Sequence, residues 1–350
     1  MELSKSAFII LALLLALIIC TAGCSKAPRD LEYHEEITPS SKICGDYVGC
    51  SIGTFLHDGF PSAESINSYE KVISREVAVV MWFQDFTLPF QTATCEMIYS
   101  HGCIPMIAWE PWIGGNFSNM TYSLDAINSG TWDTYIRDFA IAAKAWGKPL
   151  FIRWAHEMNG NWYPWSGIKY GTGSTATDKY KNAWRRIYNI FATVEANNVT
   201  WAWCPNNESV PADPWNNAVN YYPGDAYVDW MGFDGYSKPE TSWGNFEALF
   251  LTIYATLCAI STFEKPILIG EMSRDEPDPN TSENGKSAWI TDTFNKIKSS
   301  GYQKIKLYVW FNLNKYEAPK MRYWQIDNWP LCMISFEAAM KDPYYISIIH

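Results

Sequence analysis

From position 47 onward, short runs of mostly apolar, β-favouring residues alternate with stretches in which apolar residues return every three to four positions. The runs predict strands over 47–53, 77–82, 104–109, 150–155, 198–204, 228–233, 266–270 and 305–311. The stretches between them predict helices over 62–74, 91–101, 131–146, 177–196, 246–262 and 285–300, with a last one near 331–340. After the fifth strand the long helical period is missing, and a Pro-, Asn- and Trp-rich connection replaces it. Continuously apolar strands separated by helices imply a parallel sheet buried on both faces. Eight such units within about 300 residues predict an α/β fold, a (β/α)8 TIM barrel, as a single catalytic domain over 44–350. An open doubly wound sheet is the alternative, but no Gly-rich phosphate turn follows the first strand.

The first residues follow a different pattern. Lys5 precedes an apolar run over 7–20 that is short for a membrane span and suits the h-region of a signal peptide. It ends in Thr21-Ala22-Gly23-Cys24, which resembles a lipoprotein box in which Cys24 becomes the lipidated first residue. Thr21 stands where an aliphatic residue is usual, which leaves ordinary secretory cleavage open. Residues 1–24 are therefore expected to be a lipoprotein-type signal peptide, and 25–43, rich in Pro, Ser and charge, a flexible tether. This predicts export to the cell surface or beyond, with membrane contact only through a lipid anchor at Cys24.

Composition narrows the partners. Of the 350 residues 16% are aromatic, including 18 Trp, and the net charge is −10. The negative balance argues against nucleic acid or an anionic membrane surface as a partner. Indole N–H groups need acceptors when buried, so a surplus of Trp points toward a carbohydrate site. Seven cysteines follow Cys24; Cys44 with Cys50, or Cys95 with Cys103, are candidate bridges in an oxidising compartment. No spacing suits a metal, so no cofactor and no structural zinc are expected, and the chain is expected to be a monomer.

The densest chemistry lies in Phe151–Trp165, FIRWAHEMNGNWYPW, where an apolar strand gives way to Arg153, His156, Glu157, Asn159, Asn161, Trp162, Tyr163 and Trp165. Carboxylates transfer protons, amides bind hydroxyls and flat rings stack on sugar faces. Acids also follow the other strands: Asp85, Glu110, Glu208, Asp234 and Glu271. Barrel active sites form on that end. A period of two puts Ile267, Ile269 and Glu271 on one face and, unless a bulge intervenes, Arg153, Ala155 and Glu157 together on another. Two acids there can reach the ~5–5.5 Å separation of a retaining glycosidase. Asp85, Glu208 and Asp234 are read as rim groups binding backbone or substrate hydroxyls, with Glu110 a lesser candidate for catalysis. Asp275, Glu276 and Asp278 are read as a solvated loop. Trp112, Trp165 and Trp215 are read as stacking platforms away from the cleaved bond.

The motifs RWAHEMNG (153–160), Gly270-Glu271 and VDWMGFDGY (228–236) resemble glycoside hydrolase family 26. The resemblance implies a retaining (β/α)8 enzyme, most often an endo-β-1,4-mannanase, with some mixed-linkage β-glucanases and β-1,3-xylanases. It makes Glu157 the acid/base and Glu271 the nucleophile, with Arg153 and Tyr236 hydrogen-bonding the nucleophile. His156 and Trp162 would line the subsite at the cleaved bond, Trp310 would form its floor, and Trp109 would bind substrate. The chain departs from the family's mannanases at Trp109-Glu110-Pro111-Trp112, where they commonly carry a Trp-His pair. The expected function is hydrolysis of a β-linked polysaccharide, β-1,4-mannan first. A mixed-linkage β-glucanase, a β-1,3-xylanase and a catalytically silent glycan-binding surface lipoprotein are the alternatives.

Overall fold

The computed structural model describes residues 42–349 apart from 57–58, 242–243, 262–263, 277–282 and 328. The expected signal peptide, Cys24 and the tether up to residue 41 lie outside the described residues, as does Asp278. The first half of the fold comprises β1 (Cys50–Phe55), α1 (Ala63–Ile73), β2 (Val79–Asp85), α2 (Thr92–Ser100), β3 (Ile104–Glu110), α3 (Leu124–Asn128), α4 (Asp133–Trp146) and β4 (Leu150–Trp154). The second half continues with α5 (Ser174–Thr193), β5 (Val199–Trp203), β6 (Trp230–Ser237), α6 (Phe246–Ile260), β7 (Ile267–Arg274), α7 (Glu283–Ile297) and β8 (Ile305–Phe311). A hairpin, β9 (Lys315–Glu317) and β10 (Lys320–Arg322), then precedes α8 (Pro330–Met340) and β11 (Tyr345–Ile346).

Strands β1 to β8 pair in sequence order, all parallel, and β8 pairs back onto β1, so the sheet closes into a (β/α)8 barrel. The short β11 adds a parallel rung beside β1. Between β5 and β6 three 3-10 turns replace a helix, which is the structural form of the missing helical period. Strands β6 and β7 run four residues beyond their predicted ends, because their last residues are polar groups belonging to the barrel mouth. At the opposite end Ile43 is buried, its N–H donating to Thr200 Oγ1 (2.8 Å) and its carbonyl accepting from Trp230 Nε1 (3.0 Å). Lys42 pairs with Asp229 at 2.7 Å. The last two residues of the expected tether thus belong to the barrel.

Each strand has two faces with different jobs. Inward point Phe55, Met81, Met106, Ala108, Phe151, Leu307, Val309 and Phe311, a set without tryptophan that fills the barrel. Outward, under the helices, lie Trp82, Trp109, Trp154, Trp201, Trp203 and Trp310. The Trp surplus therefore goes mainly into the strand–helix layer, contrary to the expectation of a carbohydrate sink. The indole nitrogens of Trp154, Trp203, Trp289, Trp310 and Trp329 have no hydrogen-bond partner there among the described residues. The balance is physical. Burying a Trp removes about 200 Å² from water, on the order of 5 kcal/mol, whereas an unmade hydrogen bond costs about 1–3 kcal/mol. The cysteine expectation also fails: among the described residues neither Cys44 with Cys50 nor Cys95 with Cys103 forms a disulfide. Cys44 is exposed while Cys50 is buried, and the Cys103 thiol donates to the Val77 carbonyl at 3.2 Å.

Candidate active site

The end of β4 leaves regular strand geometry immediately after Trp154. Ala155 (φ 46°) and Glu157 (φ 52°) both adopt left-handed backbone conformations, which cost of order 1–3 kcal/mol each outside glycine. The period-two face of Arg153, Ala155 and Glu157 therefore does not exist. The strained turn is pinned instead: Ala155 N–H donates to the Trp109 carbonyl (3.0 Å) and Glu157 N–H to the Cys204 carbonyl (2.9 Å). Trp165 Nε1 donates to the His156 carbonyl at 2.6 Å, and Tyr163 stacks on Trp165 with centroids 4.2 Å apart. Asn159 ties the loop to the segment after β5 through the carbonyls of Asn206 and Glu208.

Glu271 reaches the mouth by another route. Ile267 and Ile269 face the helices and Leu268 faces inward, so simple alternation would send Glu271 outward, away from the site. The register of β7 shifts against β6 at Phe233/Asp234 and against β8 between Ile269 and Met272. That bulge turns Glu271 inward. The predicted face of Ile267, Ile269 and Glu271 was incorrect, although the inward acid is present. Gly270 beside it has no room for a side chain: a Cβ there would sit 2.6 Å from Asp234 Oδ1, 2.8 Å from Cys204 Sγ and 2.9 Å from Arg153 Nη1.

These groups form one electrostatic unit. Arg153 is fully buried and donates through Nη1 to Asp234 (2.6 Å) and through Nη2 to Glu271. Burial opposes its charge, but the two carboxylates prevail and hold it protonated. The Tyr236 hydroxyl donates to the other oxygen of Glu271. His156 Nε2 lies 3.7 Å from Glu271 Oε1 and 3.2 Å from the Tyr163 hydroxyl. Burial, then the charges of Arg153 and Lys315, keep His156 neutral. Glu157 has no cation in contact among the described residues. Its Oε2 accepts from Trp162 Nε1 at 2.8 Å, while burial and the Glu271 charge push its carboxyl up to about 7. His156, Asp234 and Glu271 offer ligand atoms within 4.8 Å of one another, but Arg153 already bridges both acids, so the trio is an ion-pair network rather than a metal cage.

The mouth thus gathers Arg153, His156, Glu157, Trp162, Tyr236 and Glu271. Trp109 and Trp310 are elsewhere. Trp109 stacks on Phe139 of α4 at 4.2 Å, and Trp310 packs edge-on to Phe336 of α8 at 5.1 Å. Their strand neighbours Ala108 and Val309 face inward, so parity sends both indoles under the helices. The inward aromatic wall is instead Phe55, Phe83 and Phe311, with Phe83 5.6 Å from His156 and Phe311 5.6 Å from Tyr236. The same strand parity was the signal that would have found them. Trp112 and Trp165 are buried braces rather than open platforms, while Trp215 is half-buried and donates to Asp213. Asp234 is buried under Arg153 instead of lying on the rim. Asp85 matches its reading, accepting from the Thr87 and Gly114 backbone. Asp275 and Glu276 are not solvated: Asp275 binds Arg322 at 2.8 Å and Glu276 accepts from the Lys286 N–H.

The family model of glycosyl hydrolase family 26 matches residues 116–304, more than half of the chain and spanning both glutamates. The chain belongs to glycosyl hydrolase family 26. Among its relatives, endoglucanase H of Acetivibrio thermocellus is 33% identical over 312 residues, covering 86% of this chain and 31% of that protein. Mannan endo-1,4-beta-mannosidase A and B of Caldalkalibacillus mannanilyticus is 35% identical over 92 residues, 26% of this chain and 17% of that protein. The chain therefore spans less than a third of the length of these curated relatives. The solved Bacillus subtilis mannanase BCman superposes with a TM-score of 0.60 at 19% identity, covering 88% of each chain. GH26C from Muricauda does so with a TM-score of 0.63 at 16% identity, covering 91% of this chain and 96% of that one. Both solved structures share the fold of this chain.

Proposed function

We propose that the chain is a retaining endo-β-glycosidase in which Glu271 is the nucleophile and Glu157 the acid/base. The observation that carries this reading is the opposed surroundings of two buried glutamates at one barrel mouth. Arg153 and Tyr236 stabilise the ionised form of Glu271, which suits attack on the anomeric carbon. Glu157, pushed up to about 7, keeps its proton into the near-neutral range, where an ordinary glutamate has lost it, and gives it to the departing glycosidic oxygen. Attack from Glu271 forms a glycosyl–enzyme ester and releases the leaving sugar. Glu157, now ionised, takes a proton from water, whose oxygen displaces Glu271. Two inversions give net retention. Neutral His156 beside Glu271 adds no second positive charge that would blunt the nucleophile.

For substrate, a neutral β-linked hexan cleaved internally fits best. The sequence reading placed β-1,4-mannan first. The likeness to endoglucanase H extends over most of the chain, whereas that to the mannan endo-1,4-beta-mannosidase covers about a quarter. This supports moving β-glucan to first place, with β-1,4-mannan second. The test is a panel of lichenan, glucomannan and mannan followed by viscosity, reducing ends and product anomer. On the true substrate viscosity falls well before reducing ends accumulate, and the first product is the β-anomer. Steady monosaccharide release at constant viscosity, or an α-anomer, would overturn the reading.

A further inference from the structure

A third acid stands in the mouth without a role in the proposed reaction. On β3, Met106 and Ala108 face inward, and Glu110 continues that face at the strand's end, paired in register with Asp85 of β2. Only 5% of Glu110 is exposed. One carboxyl oxygen, Oε2, accepts from Trp112 Nε1 at 3.0 Å. The other oxygen takes no hydrogen bond among the described residues and is not sealed from solvent. A carboxylate this buried is normally paired with a cation. Here no cation among the described residues touches it, and its second oxygen is left for something that enters the mouth.

We propose that Glu110 works as a neutral carboxylic acid whose Oε1 hydroxyl donates a hydrogen bond to a neutral hexosyl unit beside the cleaved bond. It is thus a specificity-determining residue, and the inference rests on the glycosidase reading above. The surroundings agree. Burial is the main cause holding its carboxyl up at about 8; the charges of Glu271 on β7 and Asp85 on β2 add to it. The Trp112 N–H and Arg153 on β4 pull the other way and are outweighed. Tyr163, from the loop after β4, also lies within electrostatic range of Glu110 and stays protonated. A neutral donor avoids placing another negative charge next to Glu271.

The sign of the pH effect is fixed by this. Glu157 loses its proton near pH 7 and Glu110 near pH 8, so the logarithm of kcat/KM on the best hexan should fall with a slope near −2 above both. Glu110→Ala should raise KM about tenfold at about pH 6 with a smaller change in kcat. Glu110→Gln keeps an acceptor for Trp112 and presents N–H to the mouth; it should recover most of the Ala loss and show an alkaline slope near −1. The proposal is overturned if Gln is no better than Ala, if Gln keeps the steep slope, or if the wild type has a slope of −1. Calorimetry with β-1,4-glucohexaose and β-1,4-mannohexaose separates the two readings. If the wild type hydrolyses nothing, the glycosidase reading fails. Even then, weaker binding in Ala that Gln restores would uphold Glu110 as a donor, and equal binding in all three proteins would sink it.

Discussion

The ends of β4 and β7 bring the same side chain to the same mouth by unlike means and leave it in unlike states. At β4 the chain abandons the strand and holds Glu157 in a left-handed turn, with one indole N–H as its hydrogen-bond donor. At β7 the strand continues, and a bulge rotates Glu271 onto a buried guanidinium and a tyrosine. The difference teaches that role is assigned by what stands opposite each carboxyl, not by residue type or by place in the barrel. One carboxyl faces a guanidinium and a hydroxyl, while the other is buried beside that carboxylate with a single indole donor and is pushed up.

The comparison breaks most completely if the two acids are removed in turn. Glu271→Ala should lower kcat by on the order of 10⁴-fold or more, and azide should not restore it as a β-product. Glu157→Ala should regain turnover of an activated aryl glycoside with azide, yielding the β-glycosyl azide. An α-azide from Glu157→Ala, or wild-type rates in either variant, would overturn the assignment.

The next effect concerns what keeps Glu271 charged. Arg153→Met strands Asp234 and Glu271 without their counter-charge and should cost about 3–5 kcal/mol in a denaturant titration, along with most activity. Adding Asp234→Asn should restore much of the stability and none of the activity. Joint recovery of both would mean that Arg153 serves the fold alone.

The smallest effect sharpens the β4 side. Trp162→Phe removes the donor that favours ionised Glu157, so the carboxyl should rise further above about 7. The alkaline fall of kcat/KM should move to higher pH while kcat/KM at its maximum drops about tenfold. A shift toward lower pH would show that the indole acts on Glu157 only through packing.

Much of this was legible in the sequence, and for identifiable reasons. The eight strands are apolar on both faces and separated by periodic helices, so the barrel follows from pattern alone. Arg153, His156, Glu157, Tyr236 and Glu271 sit at strand ends, where a barrel concentrates its chemistry. Bulges and left-handed turns leave no periodic trace, so the alternation argument reached Glu271 despite predicting the wrong faces for Ile267 and Ile269. Trp109 and Trp310 failed for the opposite reason: composition suggested sugar stacking, while the alternation with Ala108 and Val309 already pointed them at the helices. The burial of Asp234 and Asp275 depends on arginines from distant segments, Arg153 and Arg322, and no local pattern announces such partners.

The tryptophan layer between strands and helices has an optical consequence. Ten indoles are among the largest fully buried side chains, so the folded protein should emit at the short-wavelength end of the tryptophan range. Loss of the barrel should shift the whole band to the red. Trp162 is only half-buried and touches Glu157, so a sugar entering the mouth should alter a minor fraction of the signal without moving the rest. Unfolding and occupancy can therefore be followed in one cuvette, as a shift in wavelength and a change in intensity, with no label attached.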